Sequence, residues 1–154
     1  MPSADALFAI VNPLPLPAWL LLLFVPRWKY TLPIARLLVV PLLAAAYAAL
    51  VITKFGGTEG DFSSLAGVQL LFSNPHALLA GWVHYLAFDL FVGAWIVEDA
   101  LARPVTWWAR AIPLPLTLMF GPAGLLLYLV LRQFSSASVQ PLARTGVSVG
   151  VGAA

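Results

Sequence analysis

Residues 76–97 read HALLAGWVHYLAFDLFVGAWIV, an apolar run that is long enough to cross a bilayer, because a spanning helix takes roughly 20 residues. The preceding residues 73–75, SNP, form a typical helix start, since Ser or Asn caps the first turn and proline fits into it. The acidic pair at 98–99 ends the run. Two ionisable side chains, His84 and Asp89, lie inside it at membrane depth.

The composition of the whole chain excludes a soluble protein. Of the 154 residues, 62% are hydrophobic and only 9% are charged, and the mean hydropathy is +0.95. Soluble domains average about 45–50% apolar and about 25% charged residues. A domain this small cannot hide so much apolar surface from water. We therefore expect an integral membrane protein whose surroundings are the lipid bilayer. The eight Lys and Arg residues are scattered singly, so nucleic-acid binding is not expected.

Three more apolar stretches predict an all-α integral membrane protein. The bundle has about four transmembrane helices, with spans at 7–25, 34–55, 76–97 and 112–131. We expect the third and fourth spans to line a cleft. The segment 62–72 is too short to cross and is expected to lie at the membrane interface. Residues 1–134 thus form the bundle, and 135–154 form a polar C-terminal tail that is disordered unless it is bound to a partner.

The basic residues predict an orientation for these four spans. Five of them share one side of the membrane and three share the other. The first group is Arg27, Lys29, Arg36, Arg103 and Arg110, and the second is Lys54, Arg132 and Arg144. Because basic loops tend to stay in the cytoplasm, we expect both termini outside it. A bacterial inner membrane or a photosynthetic membrane is the expected location.

Two stripes of side chains follow the third span. One contains His84, Phe88, Phe91, Trp95 and Glu98, and the other contains Trp82, Tyr85, Asp89 and Ile96. His84 and Asp89 are about 140° apart around the helix, so only a cleft between several helices receives both. An aromatic wall beside an acid and an imidazole suits a long, flat, apolar ligand such as a polyene.

A structural reading of the same residues stays open. The aromatic side chains then pack or face lipid, and the two ionisable side chains tie helices together by hydrogen bonds. Arg36, near the start of the second span, is a candidate counter-ion for Asp89. Gly121-Pro122 in the fourth span either opens the backbone toward a cavity or marks a plain kink.

Metal chemistry has little support in the sequence. Cysteine is absent, so thiolate-ligated metals and disulfides are excluded. His76 and His84 alone cannot build a histidine-rich di-iron site. A chlorophyll or haem ligated by His84 is an alternative, since one axial histidine suffices for it.

Two segments carry a family resemblance. Residues 82–93 (WVHYLAFDLFVG) and 113–128 (PLPLTLMFGPAGLLLY) resemble the abscisic-acid-deficient-four-like family of small membrane proteins. Five more positions fit the same pattern: Asn12, Trp19, Pro26, Phe72 and Pro75. The resemblance covers roughly residues 7–133. It implies a carotenoid-related role, because plant members are associated with the conversion of violaxanthin to neoxanthin.

The resemblance implies a cofactor-free xanthophyll isomerase that works by acid–base catalysis. His84 and Asp89 are then the catalytic pair. The expected substrate-binding residues are Trp82, Tyr85, Phe88, Phe91, Trp95, Phe120, Gly121 and Pro122. The alternative is a non-catalytic carotenoid-binding or scaffold subunit, partnered by the other subunits of a photosynthetic pigment–protein complex. A small transporter is the third, least supported class.

Overall fold

The computed structural model describes residues 3–56, 58–103 and 105–136. The described residues form helices and no strand. The helices are α1 (Ala4–Val11), α2 (Leu16–Phe24), α3 (Thr31–Pro33), α4 (Val40–Lys54), α5 (Leu65–Leu71), α6 (Pro75–Ala102), α7 (Trp107–Ala111), α8 (Pro113–Phe120) and α9 (Pro122–Ser136), and a π-helical segment (Ile34–Val39) joins α3 to α4. Most of the predicted tail, from residue 137 onward, lies outside the described residues.

Three helical stretches are long and apolar enough to cross a membrane: Ala4–Phe24, Thr31–Lys54 and Pro75–Ala102. They confirm a membrane-type helical protein and match the first three predicted spans. The first stretch breaks between α1 and α2, where Pro13 and Pro15 cannot supply helical N–H groups. The second accommodates Pro41 by the π-helical segment directly before it.

Helix α6 is the centre of the molecule. Over its most apolar window 56% of α6 is buried, against 28% and 22% for the first two stretches. Its start is capped by Asn74, whose side chain accepts hydrogen bonds from the backbone N–H groups of His76 and Ala77. Helix α2 approaches α6 closely because Gly93 has no side chain, and the Trp19 ring fills that space.

The fourth apolar stretch is split in two at Gly121, which has φ +37° and ends α8. Beyond it the chain reverses. A Cβ atom on Gly124 would overlap the backbone of Thr117, whereas in a continuous helix these two residues would be about 10 Å apart. Helix α7, which precedes α8, also contacts α9. Helices α8 and α9 therefore form a hairpin with its tip at Gly121.

The hairpin changes how the fourth stretch relates to the membrane. Helix α9 returns to the end of α6 from which α8 started, where Tyr128 and Arg132 both donate hydrogen bonds to Asp99. The structure thus keeps the break predicted at Gly121-Pro122, but it turns the chain back there, where a membrane crossing over 112–131 was predicted. Ala4 lies beside Pro75 at the start of α6, and Arg132 lies at its far end. The two ends of the described chain are on opposite sides of the bundle.

Candidate functional site

The side chain of Asp89 lies under the tip of the hairpin. It is ten residues, or about 15 Å, from Asp99, which corresponds to half of a hydrocarbon core of about 30 Å. The residue is only 7% exposed, and its Oδ2 atom has no hydrogen-bond partner among the described residues. A Cβ on Gly121 would lie 2.5 Å from Asp89 Oδ1, so only glycine allows this approach.

Tyr85 connects α6 to the end of α8. Its hydroxyl donates a hydrogen bond of 3.2 Å to the backbone oxygen of Leu118. In a regular helix that oxygen would accept from the N–H of residue 122, but Pro122 has none. Tyr85 lies one turn before Asp89 on the same helix, within electrostatic range of its carboxyl. The Tyr85 hydroxyl therefore replaces the backbone donor that is missing at the helix break beside Asp89.

The tip gives the carboxyl an unusual environment. Asp89 faces the junction where α8 ends and α9 begins, and the start of a helix carries partial positive charge that favours an anion. An ionised carboxylate at membrane depth is otherwise costly. Such a group is able to accept a proton as carboxylate and donate one as acid, away from water.

His84 lies on a different face of α6. Its ring stacks on Phe88 at 4.4 Å and approaches Tyr47 of α4 at 5.6 Å, both between ring centroids. Its side chain is exposed in this chain, whereas Asp89 is buried against the hairpin. The structure therefore does not bring the predicted proton-transfer pair together.

The predicted aromatic residues separate into two groups. Trp82 stacks on Tyr85 and donates a hydrogen bond to Asn12, so it joins α6 to the break in the first stretch. Phe88 and Phe91 are exposed and line a shallow apolar groove of about 300 Å³ against α4.

A second apolar groove, of about 280 Å³, lies between α6 and α9. It shares Phe91 with the first and is also lined by Trp95 and Leu125. Phe120 and Pro122 are exposed on either side of Gly121, at the tip. The two grooves and the exposed side chains at the tip are apolar, and Asp89 lines neither groove.

Arg36 is not paired with Asp89, contrary to the proposed counter-ion. It forms an ion pair of 2.6 Å with Glu98, at the end of α6, and stacks over Phe91. Arg36 and Asp89 lie apart because Arg36 is beside the last turns of α6, whereas Asp89 is in the middle of that helix. Asp99 is paired nearby with Arg103 and Arg132. Among the described residues no group of three His, Cys, Asp or Glu side chains is placed to hold a metal ion.

Comparison with protein families agrees with these motifs. The family model described as ABA DEFICIENT 4-like matches residues 6–128. The chain belongs to the ABA DEFICIENT 4-like family. Comparisons with curated proteins and with solved structures give no significant match. Membership confirms the resemblance and indicates a carotenoid-related membrane protein.

The match to the family covers all ten predicted site residues and extends over the hairpin to Tyr128. The sequence alone did not predict several contacts in this region. They are the hydrogen bond from Trp82 to Asn12, the one from Tyr85 to Leu118, and those from Tyr128 and Arg132 to Asp99, which anchor α9. The sequence signal for this anchor was an acid at a helix end, Asp99, with two arginines, Arg103 and Arg132, and a tyrosine, Tyr128, able to pair with it. Such a group is typical of a structural cluster.

Proposed function

We propose that this protein is a cofactor-free xanthophyll isomerase of the neoxanthin-synthesis type, with Asp89 as its proton-transfer group. The observation that supports it most is a buried carboxyl, with one oxygen unpartnered, at the depth of the bilayer centre. Buried acids in membranes are costly and are usually retained for function. Family membership supports a carotenoid as the class of substrate.

The reaction needs an acid and a base but no redox partner. The epoxide carbon–oxygen bond breaks, a proton leaves the adjacent polyene carbon, and the epoxide oxygen gains a proton. The products of these steps are an allene and a tertiary alcohol, so atoms and electrons balance. We propose Asp89 and Tyr85 as the two proton-transferring groups, because they are neighbours on one face of α6.

The substrate would lie on the apolar surface around the tip. In this proposal Phe88, Phe91 and Trp95 offer rings to a polyene in the grooves, and Trp82, Phe120, Gly121 and Pro122 are the further residues that we expect to contact it, with Gly121 directly against Asp89. His84 belongs to this contact surface in the proposal rather than to the proton-transfer pair. In this proposal the open grooves between α6 and its neighbours take the place of the predicted cleft.

The test is the conversion of an epoxy-xanthophyll in a host that makes violaxanthin, followed by chromatography of the extracted pigments. Asp89→Asn keeps the shape of the side chain and is expected to lower product by about 10²-fold or more, as loss of a general acid–base does. Glu98→Gln is the matched control, because Glu98 lies on the same helix at an exposed ion pair. Full product from Asp89→Asn, at equal protein level, would contradict the assignment.

The apolar lining of the grooves favours a second function. Those beside Phe91 are lined by apolar side chains alone, which fits a bound carotenoid that is not converted. The protein would then be a carotenoid-binding or scaffold subunit of a photosynthetic pigment–protein complex. Gentle purification from its native membrane, followed by an absorption spectrum, distinguishes the two. Co-purified carotenoid together with other subunits supports the second function, and a colourless, solitary chain argues against it.

A further inference from the structure

A buried arginine lies outside the site described above. Arg110 is in α7, the short helix between α6 and the hairpin, and is only 8% exposed. Its Nε atom is buried without a hydrogen-bond partner among the described residues. A buried, unpaired charge is costly in a folded protein.

A second cation adds to this imbalance. Arg27, which follows the end of α2, lies within electrostatic range of Arg110 and carries the same charge. Burial first, and then the repulsion by Arg27, lowers the pKa of Arg110 from its usual value. A buried guanidinium with an unpartnered N–H group and a second cation within electrostatic range is typical of a site for an anion.

The protein's own acids do not neutralise this pair. The chain has six Asp and Glu residues, and all of them are described. Glu98 is paired with Arg36, and Asp99 with Arg103 and Arg132. Asp89 lies at the hairpin tip. The other three, Asp5, Glu59 and Asp61, belong to α1 and to the loop before α5, at the opposite end of α6. None of these acids forms an ion pair with Arg27 or Arg110 in the described part of the chain, which leaves the two arginines open to an anion from another molecule.

The depth of Arg27 and Arg110 in the membrane indicates the class of molecule that supplies the anion. Trp107 and Trp108 of α7 and Trp28 beside Arg27 are exposed, and such aromatic side chains mark the headgroup region. We propose that Arg27 and Arg110 bind the phosphate of an anionic phospholipid headgroup. The guanidinium groups donate to its oxygens, and Arg110 is oriented by its burial in α7. This site is independent of the proposed isomerase.

The experiment measures thermal stabilisation of the detergent-purified 154-residue chain by added phosphatidylglycerol, phosphatidylcholine or inorganic phosphate. Phosphatidylglycerol is expected to stabilise the protein at lower concentration than phosphatidylcholine. Arg110→Gln and Arg27→Gln are each expected to weaken this preference about tenfold, as loss of a charge-assisted hydrogen bond does. Lys29→Gln is the matched control, because Lys29 is an exposed cation on the same loop that contacts the Tyr30 ring.

Arg27→Gln decides the outcome if Arg110→Gln does not fold, because Arg27 is exposed and lies outside the helices. Equal preference for phosphatidylglycerol in Arg27→Gln and the unchanged protein would overturn the proposal. Stabilisation by inorganic phosphate alone, with no lipid preference, would also overturn it, because the site would then take free phosphate. An equal loss in Lys29→Gln would mean that net charge, and not this pair, attracts the lipid.

Discussion

Gly121 and Asp89 are the two residues on which the site depends. Gly121→Ala adds a Cβ that meets the Asp89 carboxyl and places an L-residue at φ +37°. We expect a loss of roughly 1–3 kcal/mol in stability, seen as a lower melting temperature. Gly56→Ala is the control, because nothing lies within 4 Å of its Cβ position. The double variant Asp89→Ala, Gly121→Ala should recover part of the loss, and a melting temperature unchanged by Gly121→Ala would contradict the described contact.

Among single residues, the sequence predicted Asp89 and Gly121 but not their contact. Composition and spacing identify an acid at membrane depth and a Gly-Pro break, because both are local features. The partner of Asp89 depends on which way the chain turns at Gly121, and that depends on a single backbone conformation. Arg36 was an electrostatically sensible partner, yet its depth in the membrane matches Glu98.

Among the helices, α8 depends on a side chain from α6. Tyr85→Phe removes the hydroxyl that donates to Leu118, so this carbonyl loses its protein donor at the helix break. We expect a loss of about 1–3 kcal/mol, the cost of an unsatisfied buried polar group, measured by thermal unfolding in detergent. Tyr47→Phe is the matched control, since Tyr47 contacts His84 through its ring. Equal effects of the two substitutions would show that Tyr85 does not support the break.

The elements themselves were predictable to different degrees. The first three spans follow from apolar length, and the breaks at the prolines follow from their missing N–H groups. The fourth stretch is equally apolar whether it crosses the membrane or turns back, so hydropathy alone does not distinguish the two. What distinguishes them is the close approach of Gly124 to Thr117 and the pairing of Arg132 with Asp99.

For the whole molecule the hairpin changes the expected orientation. With four crossings the basic residues divide five against three, which favours both termini outside the cytoplasm. With a hairpin, Arg132 joins the end of α6 where five other basic residues lie, and Lys54 is the described basic residue at the opposite end. From the positive-inside rule we then expect the end of α9 in the cytoplasm and Ser3 outside it. A bacterial inner membrane or a photosynthetic membrane remains our proposal for the location.

The most direct test of the hairpin is the side of the membrane on which each end of the described chain lies. The chain has no cysteine, so single-cysteine variants Ser3→Cys and Gln133→Cys report one position each. Both positions are exposed. In intact cells a membrane-impermeant maleimide should label Ser3→Cys, whereas Gln133→Cys should react only after the membrane is opened. Labelling of both variants from outside would mean that the fourth stretch crosses the membrane, and it would contradict the hairpin that holds Gly121 against Asp89.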